Sequence, residues 1–305
     1  MSSQIFTIDS DSEKKRLDVF LSEKLQAHSR TYIKRGIQLG WVKVNDQVKK
    51  PNYRLKKNDE VTVNLLPVPS LSLNPEPIPI NIIFEDNDLI ILNKQRGMVV
   101  YPAPGNYSGT VVNALLYHTN NLSSINGNSR PGIVHRLDKG TSGVMIVAKN
   151  NYSHRFLSKQ LKNRQMIKTY LAVVHGSITE NISTIDAPIG RHPIRRTCMT
   201  VNENNSKAAV THFKVLERFR NFTYLELQIE TGRTHQIRVH MKFIGHPVVG
   251  DPVYSRKKHP FKIKGQALHA YRIQFLHPTT RKQLDFEAPI PDDFMDILNY
   301  LRAKE

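Results

Sequence analysis

Five prolines fall between Pro67 and Pro79 (Pro67, Pro69, Pro75, Pro77, Pro79), interleaved with Ser, Leu and Asn. Proline lacks a backbone N–H and fixes φ, so this stretch is excluded from the middle of a sheet and runs semi-extended. The chain is therefore expected to form two modules joined by a linker at 67–79. A tail at 1–13 and a small domain at 14–66 precede it, and a larger domain at 80–305 follows.

The small module reads as two helices and a short sheet. Leu17, Phe20, Leu21 and Leu25 recur at helical spacing, and Ser29 suits the cap of a second helix bearing Tyr32, Ile33 and Ile37 on its apolar side. Arg30, Lys34 and Gln38 share the opposite stripe. Val42, Val44 and Val48 flank an Asn45-Asp46 turn, and Val61, Val63 and Leu65 alternate as a strand. From Lys14 to Leu66 the module carries 13 Lys and Arg against 5 Asp and Glu. That surplus suits a polyanion, although a solvated face would also carry such charge.

The large module reads as irregular α+β. A hairpin is expected from Ile80–Phe84 and Leu89–Asn93 across an acidic turn. Further strands are expected at Ile133–Leu137, Val144–Ala148, Thr169–Val174, Ala209–Leu216 and Tyr224–Glu230. Helices are expected at Thr110–His118, Tyr152–Leu161 and Asp292–Arg302. Strands and helices do not alternate strictly, which disfavours a doubly wound parallel sheet.

Charge and motif content narrow the function classes. The formal net charge of +18 and pI near 9.9 point to nucleic acid as partner. No apolar run exceeds the five residues Val144–Ala148, so no membrane role is expected. The N-terminus lacks the basic and apolar regions of a secretion signal, and the lone Cys198 cannot form an intrachain disulfide. Both place the chain in the cytoplasm. Dinucleotide, P-loop, zinc-protease and Gly-x-Ser-x-Gly motifs are missing, and His235 and His240, five apart, lie on different helix faces, so no metal is expected.

The segment Arg130-Pro131-Gly132-Ile133-Val134-His135-Arg136-Leu137-Asp138-Lys139-Gly140-Thr141-Ser142-Gly143 reads as an apolar strand ending in a charged, glycine-punctuated loop. Flanking cations would favour an ionised Asp138, able to act as nucleophile or base. By local chemistry alone the ordinary reading, that it caps a turn or makes a surface ion pair, is the favoured one.

His135-Arg136-Leu137-Asp138 with Thr141-Ser142-Gly143 resembles the second motif of the RluA-type pseudouridine synthases, and the likeness runs through nearly all of 80–305. Asn93-Lys94 with Gly97 and Gly109–Leu115 is similar to the first motif, and Lys168-Thr169-Tyr170 to the strand bearing the family's tyrosine. Glu230–Met241, with Gly250-Asp251-Pro252, is similar to the third, and Ala267-Leu268-His269-Ala270 completes the set. Arg16-Leu17-Asp18, Ser29-Arg30, Gly40–Asn45 and Asp59-Glu60-Val61 resemble an S4 RNA-binding domain, a small α/β module.

The resemblance implies a mixed, largely antiparallel sheet with a central cleft, and isomerisation of uridine to pseudouridine without cofactor or metal. Asp138 is the implied catalytic residue, acting on sugar or base or by abstracting a sugar proton. It implies that Arg238 pairs with Asp138, Tyr170 stacks on the flipped base, Leu268 walls its pocket and Arg136 enters the vacated stack. Lys94, Arg30 and Lys34 are expected to contact RNA. The S4-bearing branches closest in pattern act on large-subunit ribosomal RNA, type D before type C, so that RNA or a pre-50S particle is the expected partner of a monomer. A non-catalytic ribosome-assembly factor and a synthase acting on tRNA or mRNA are the alternatives. Departures from the pattern are Gln95, Arg96, Tyr101 and Gly140. None is expected to touch the chemistry, and Gly140 is expected to loosen the loop after Asp138.

Overall fold

The computed structural model describes residues 4–25, 30–64, 73–103, 105–125, 130–195 and 197–304, without the side chains of residues 30, 31, 32 and 35. The chain divides into two compact units, residues 1–72 and 73–305.

In the first unit, β1 (Gln4–Thr7), α1 (Leu17–Lys24), α2 (Arg30–Gln38), β2 (Val42–Val44) and β3 (Glu60–Val63) follow in order. The sheet order is β1-β3-β2, all antiparallel. Leu17, Phe20, Leu21, Ile33, Ile37, Val42, Val44, Val61 and Val63 form its core. Asn45 and Asp46 both have φ near +55° (50° and 59°), the conformation of a tight two-residue hairpin turn. The tail expected at 1–13 is a correction: Gln4–Thr7 pairs with β3, and Ile8 is 1% exposed in the core. So short and polar a segment becomes a strand only because β3 offers it an edge. Val48, expected in the sheet, is 55% exposed. Ser29, Leu65 and the side chain of Tyr32 lie outside the described residues.

The second unit begins inside the expected linker. Leu73 packs on the large core, Asn113 Nδ2 donates to the Asn74 carbonyl at 2.8 Å, and Gly109 N–H donates to Glu76. Residues 73–76 are thus docked on the second unit.

Its elements are β4 (Asn81–Glu85), β5 (Leu89–Lys94), α3 (Val111–His118), β6 (Ser142–Ala148), α4 (Asn151–Lys162), β7 (Ile167–His175), β8 (Ile182–Asp186), β9 (Ile189–Arg191), β10 (Met199–Val201), β11 (Ser206–Lys207), β12 (Val210–Phe219), β13 (Phe222–Ile229), α5 (Gln236–Phe243), β14 (Leu268–Leu276), β15 (Gln283–Glu287) and α6 (Asp292–Arg302). Strands β9, β10 and β11 make a small separate sheet. The main sheet has nine strands in the order β4-β5-β6-β14-β7-β13-β12-β8, with β15 on β14. Every pairing is antiparallel except β6 with β14, which touch only at Ser142 and Gly143. Gly143 is required there: at φ +116°, an added Cβ would lie 2.1 Å from the Ala270 carbonyl oxygen.

The strand expected at Ile133–Leu137 does not form. After the Gly143 contact β14 leaves β6, and residues 132–138 drape along the freed edge as irregular chain. Ala148 N–H donates to the Gly132 carbonyl (2.8 Å), and Ile146 N–H donates to His135 Nε2 (2.9 Å). Burial, with the nearby charge of Lys168, pushes His135 down to about 3, so the ring stays a neutral acceptor. A side chain replaces a strand carbonyl, which periodicity could not foresee.

Candidate active site

This draped segment carries Asp138 to the foot of a cleft of about 610 Å³ at the centre of the main sheet. A turn closes behind it, with Thr141 N–H donating to the Asp138 carbonyl at 3.0 Å. The loop is clamped from the other side. Gln266 Nε2 donates to Thr141 Oγ1 (2.9 Å), and the Arg96 guanidinium bonds to the carbonyls of Gly140 and Gln266 and to Asp293 (2.8 Å). A Cβ on Gly140 would meet Gln266 Oε1 at 2.5 Å. Gly140 and Arg96 are therefore one packing solution, and the expected loosening of this loop is corrected.

Arg238, in the first turn of α5, bridges two carboxylates. Its Nη1 donates to Asp138 Oδ2 at 2.8 Å, while Nε and Nη2 donate to Asp251 at 2.7 and 2.9 Å. Asp251 Oδ1 also accepts the backbone N–H of Val253 and Tyr254, which fixes the acid before it fixes the arginine. Burial disfavours the charge on Arg238, but the Asp251 hydrogen bonds and the field of Asp138 outweigh it and raise its pKa. The fork geometry of guanidinium allows this double grip where lysine would not. The start of α5 is set by Gln236, whose amide bridges Thr231, Arg233, Val210 and Thr211.

Asp138 Oδ1 makes no hydrogen bond among the described residues. His235 Nε2 stands 3.9 Å from it. His235 occupies the left-handed N-cap of α5 (φ 58°), and its Nδ1 lies 2.8 Å from the Tyr254 hydroxyl, which accepts Met199 N–H. In the tautomer where Tyr254 donates to Nδ1, the imidazole proton sits on Nε2, facing Asp138. Burial lowers the His235 pKa against the opposing field of Asp138.

Tyr170 on β7 and Leu268 on β14 line the same cleft, both largely buried. Burial, reinforced by the Asp138 charge, raises the Tyr170 pKa and keeps it a neutral phenol. Arg136 is exposed at the cleft, its Nη1 donating to the Tyr101 hydroxyl at 2.5 Å. Tyr101 also carries the Arg130 guanidinium over its ring at 4.2 Å. Tyr101, expected to stand apart from the chemistry, thus holds two cleft arginines.

Three expected RNA contacts fare differently. Lys34 is half-exposed on α2 and pairs with buried Asp18 at 3.5 Å, tying α2 to α1. The Arg30 side chain lies outside the described residues. Lys94 is a correction: it is 1% exposed, and its ammonium donates to the carbonyls of Gln95 (2.8 Å), Met98 (2.8 Å) and Lys139 (3.4 Å). It braces the loop behind Asp138 and cannot reach a phosphate.

Lys94→Met is accordingly expected to lose on the order of 2 kcal/mol of stability, the cost of orphaning buried carbonyls. The salt dependence of RNA affinity should not change. Burial, only partly offset by Asp138, pulls Lys94 down to about 7, against about 10.4 in an unfolded chain. Between those limits the unfolded state binds more protons, so this group's contribution to stability rises with pH, and the variant should lose that rise. Thermal melts from pH 6 to 10 and a salt titration of binding check both. A salt slope reduced by about one would restore Lys94 as a phosphate contact.

Sequence reasoning overlooked Asp251, His235 and Tyr101 as site residues. Asp251 and His235 sat inside quoted motifs, but nothing local shows that an acid at 251 and an arginine at 238 share one fork. Among the described residues, no group of three or more His, Cys, Asp or Glu could hold a metal ion, and no helix is long and apolar enough to cross a membrane.

A partly buried carboxylate gripped by arginine at the foot of a basic cleft, with a tyrosine and a leucine lining its walls, is the arrangement of an enzyme site suited to a polyanionic substrate. The chain belongs to the RNA pseudouridine synthase family. The RNA pseudouridylate synthase family model matches residues 88–243, and the S4 domain model matches 15–61. An uncharacterized RNA pseudouridine synthase of Bacillus subtilis is 48% identical over 296 residues, 97% of each chain. The ribosomal large subunit pseudouridine synthase D of Neisseria meningitidis serogroup A is 44% identical over 300 residues, 95% of this chain and 79% of that one. The solved structure of human RNA pseudouridylate synthase domain containing 1 superposes with TM-score 0.57 at 26% identity, covering 74% of this chain and 95% of that one.

Proposed function

We propose that this synthase isomerises uridines in large-subunit ribosomal RNA, with Asp138 as the catalytic carboxylate and without a cofactor. The observation that carries the assignment is the Oδ1 of Asp138, facing the cleft with no hydrogen bond among the described residues, while Oδ2 is held by Arg238 at 2.8 Å. The target class is supported by the 44% identity to a ribosomal large subunit synthase D over most of the chain.

The reaction is an isomerisation. The N1–C1′ bond breaks, uracil turns within the pocket, C5 bonds to C1′, C5 gives up its proton and N1 gains one. Nothing is oxidised and no group leaves, so one carboxylate and firm positioning suffice. Asp138 acts on the nucleoside. Tyr170 stacks under the flipped base and recovers part of the stacking lost. Leu268 excludes water, which would turn rearrangement into hydrolysis. Arg136 swings from Tyr101 into the vacated stack, and the cations of the cleft mouth take backbone phosphates.

The test is carbodiimide-dependent reverse-transcription mapping of large-subunit RNA from a strain lacking the gene, before and after incubation with the protein. New stops at defined uridines are expected. Stops in tRNA or mRNA alone would move the substrate, and RNA binding with no stops in any RNA would leave an assembly role instead.

A further inference from the structure

Three Lys or Arg side chains are buried among the described residues: Lys94, Lys168 and Arg238. Lys94 is satisfied by three carbonyls and Arg238 by two carboxylates. Lys168 is 9% exposed and lines the cleft, yet among the described residues its ammonium has no hydrogen bond or ion pair. Neither carboxylate of the cleft pairs with it. Asp138 is taken by Arg238, and Glu230 is taken by Arg164 and His212. Burial holds the Lys168 pKa at about 8, so it is mostly charged at neutral pH. Its ammonium is largely withdrawn from water and meets only the cleft's solvent, a costly position for an unpaired cation that is retained where a ligand completes the pair.

Lys168 and Tyr170 are two apart on β7 and so project from the same face. One such step is about 7 Å along a strand. A nucleotide whose base lies on Tyr170 has its phosphate one sugar away, a comparable distance. We infer that Lys168 is the anchor for a backbone phosphate of the flipped nucleotide, completing its own missing ion pair when RNA enters. The inference rests on the proposed reading of the cleft as the site of isomerisation. It assigns Lys168 to binding, with no part in the bond changes.

The experiment uses the full chain and a stem-loop RNA carrying one uridine located by the mapping. That RNA is made with normal phosphates, or with a neutral methylphosphonate 5′ or 3′ of the target. Lys168→Met should weaken kcat/KM and affinity 10- to 100-fold on the normal RNA, and Lys168→Arg should restore most of it. Neutralising the contacted phosphate should cost the wild type a similar factor and cost Lys168→Met almost nothing more. Because methionine removes an unpaired buried charge, the Tm of Lys168→Met should equal or exceed that of wild type.

Equal turnover by Lys168→Met and wild type would overturn the inference. So would a loss that persists undiminished on both methylphosphonate RNAs, which would place the contact on the base. A clearly lowered Tm would show that the ammonium is already satisfied inside the protein, and would overturn it too. Failure of the wild type to form pseudouridine in any RNA sinks the functional reading instead, so the two failures are distinguishable.

Discussion

Asp138→Asn is expected to leave the protein folded and RNA-binding while turnover falls at least about 10³-fold. The reason lies in how Arg238 is held. Asp251 grips the guanidinium through two hydrogen bonds, so the arginine keeps its place when the charge at 138 is removed. The asparagine carbonyl can still accept Nη1, which spares the fold the cost of an unpaired donor. The protein therefore loses an anionic oxygen and little else. RNA affinity within about threefold of wild type, with no new carbodiimide stops, is the expected pair of results. Turnover comparable to wild type would remove Asp138 from the chemistry and direct attention to His235, the other polar group beside the vacant oxygen.

Asp251→Ala should do more damage to the molecule than Asp138→Asn. The Asp251 side chain is fully buried and accepts four hydrogen bonds, two from Arg238 and one each from the N–H of Val253 and Tyr254. Removing one partner of a buried ion pair costs about 3–5 kcal/mol, because the remaining charge is stranded. For a chain of this size that corresponds to a fall in Tm of about 10 °C. Turnover of the folded fraction should also drop about 100-fold, since an arginine free to swing no longer aims Asp138.

The pH dependence has a definite sign. Burial opposes ionisation of Asp251, but its bonds with Arg238 win and hold its pKa below the ordinary carboxylate value. Its contribution to stability is complete above the unfolded value of about 3.9 and is lost as pH falls through the lower folded value. Asp251→Ala should lack that acid limb. Melts and single-turnover assays of the variant decide the matter, and an unchanged Tm with full activity would remove Asp251 from its supporting role.

Sequence alone determined the parts that depend on local chemistry. The division into two units falls inside the proline-rich stretch 67–79, and the helical spacing of Leu17, Phe20 and Leu21 and of Ile33 and Ile37 specified the two helices of the small one. The hairpin of β4 and β5 and the helix α3 were legible from local pattern, because neighbouring residues in sequence make those contacts, whereas the Thr110 cap with Asn113 appears only in the structure. The motif around Asp138 pointed to the family because a short run of residue types at fixed spacing carries that signal without any fold.

Tertiary structure decided what depends on distant partners. Residues 4–7 became a strand only beside β3, and 132–138 became a draped loop only because β14 leaves the edge of β6 open. Lys94 and Lys168 look alike in sequence as cationic residues near motifs, yet one is spent on the carbonyls of Gln95, Met98 and Lys139 and the other has no hydrogen bond or ion pair among the described residues. Arg238 reaches Asp138 across one hundred positions and Asp251 across thirteen. The physical reason is the same throughout: burial and hydrogen-bond satisfaction are properties of surroundings assembled from remote segments, and the identity of a residue does not contain them.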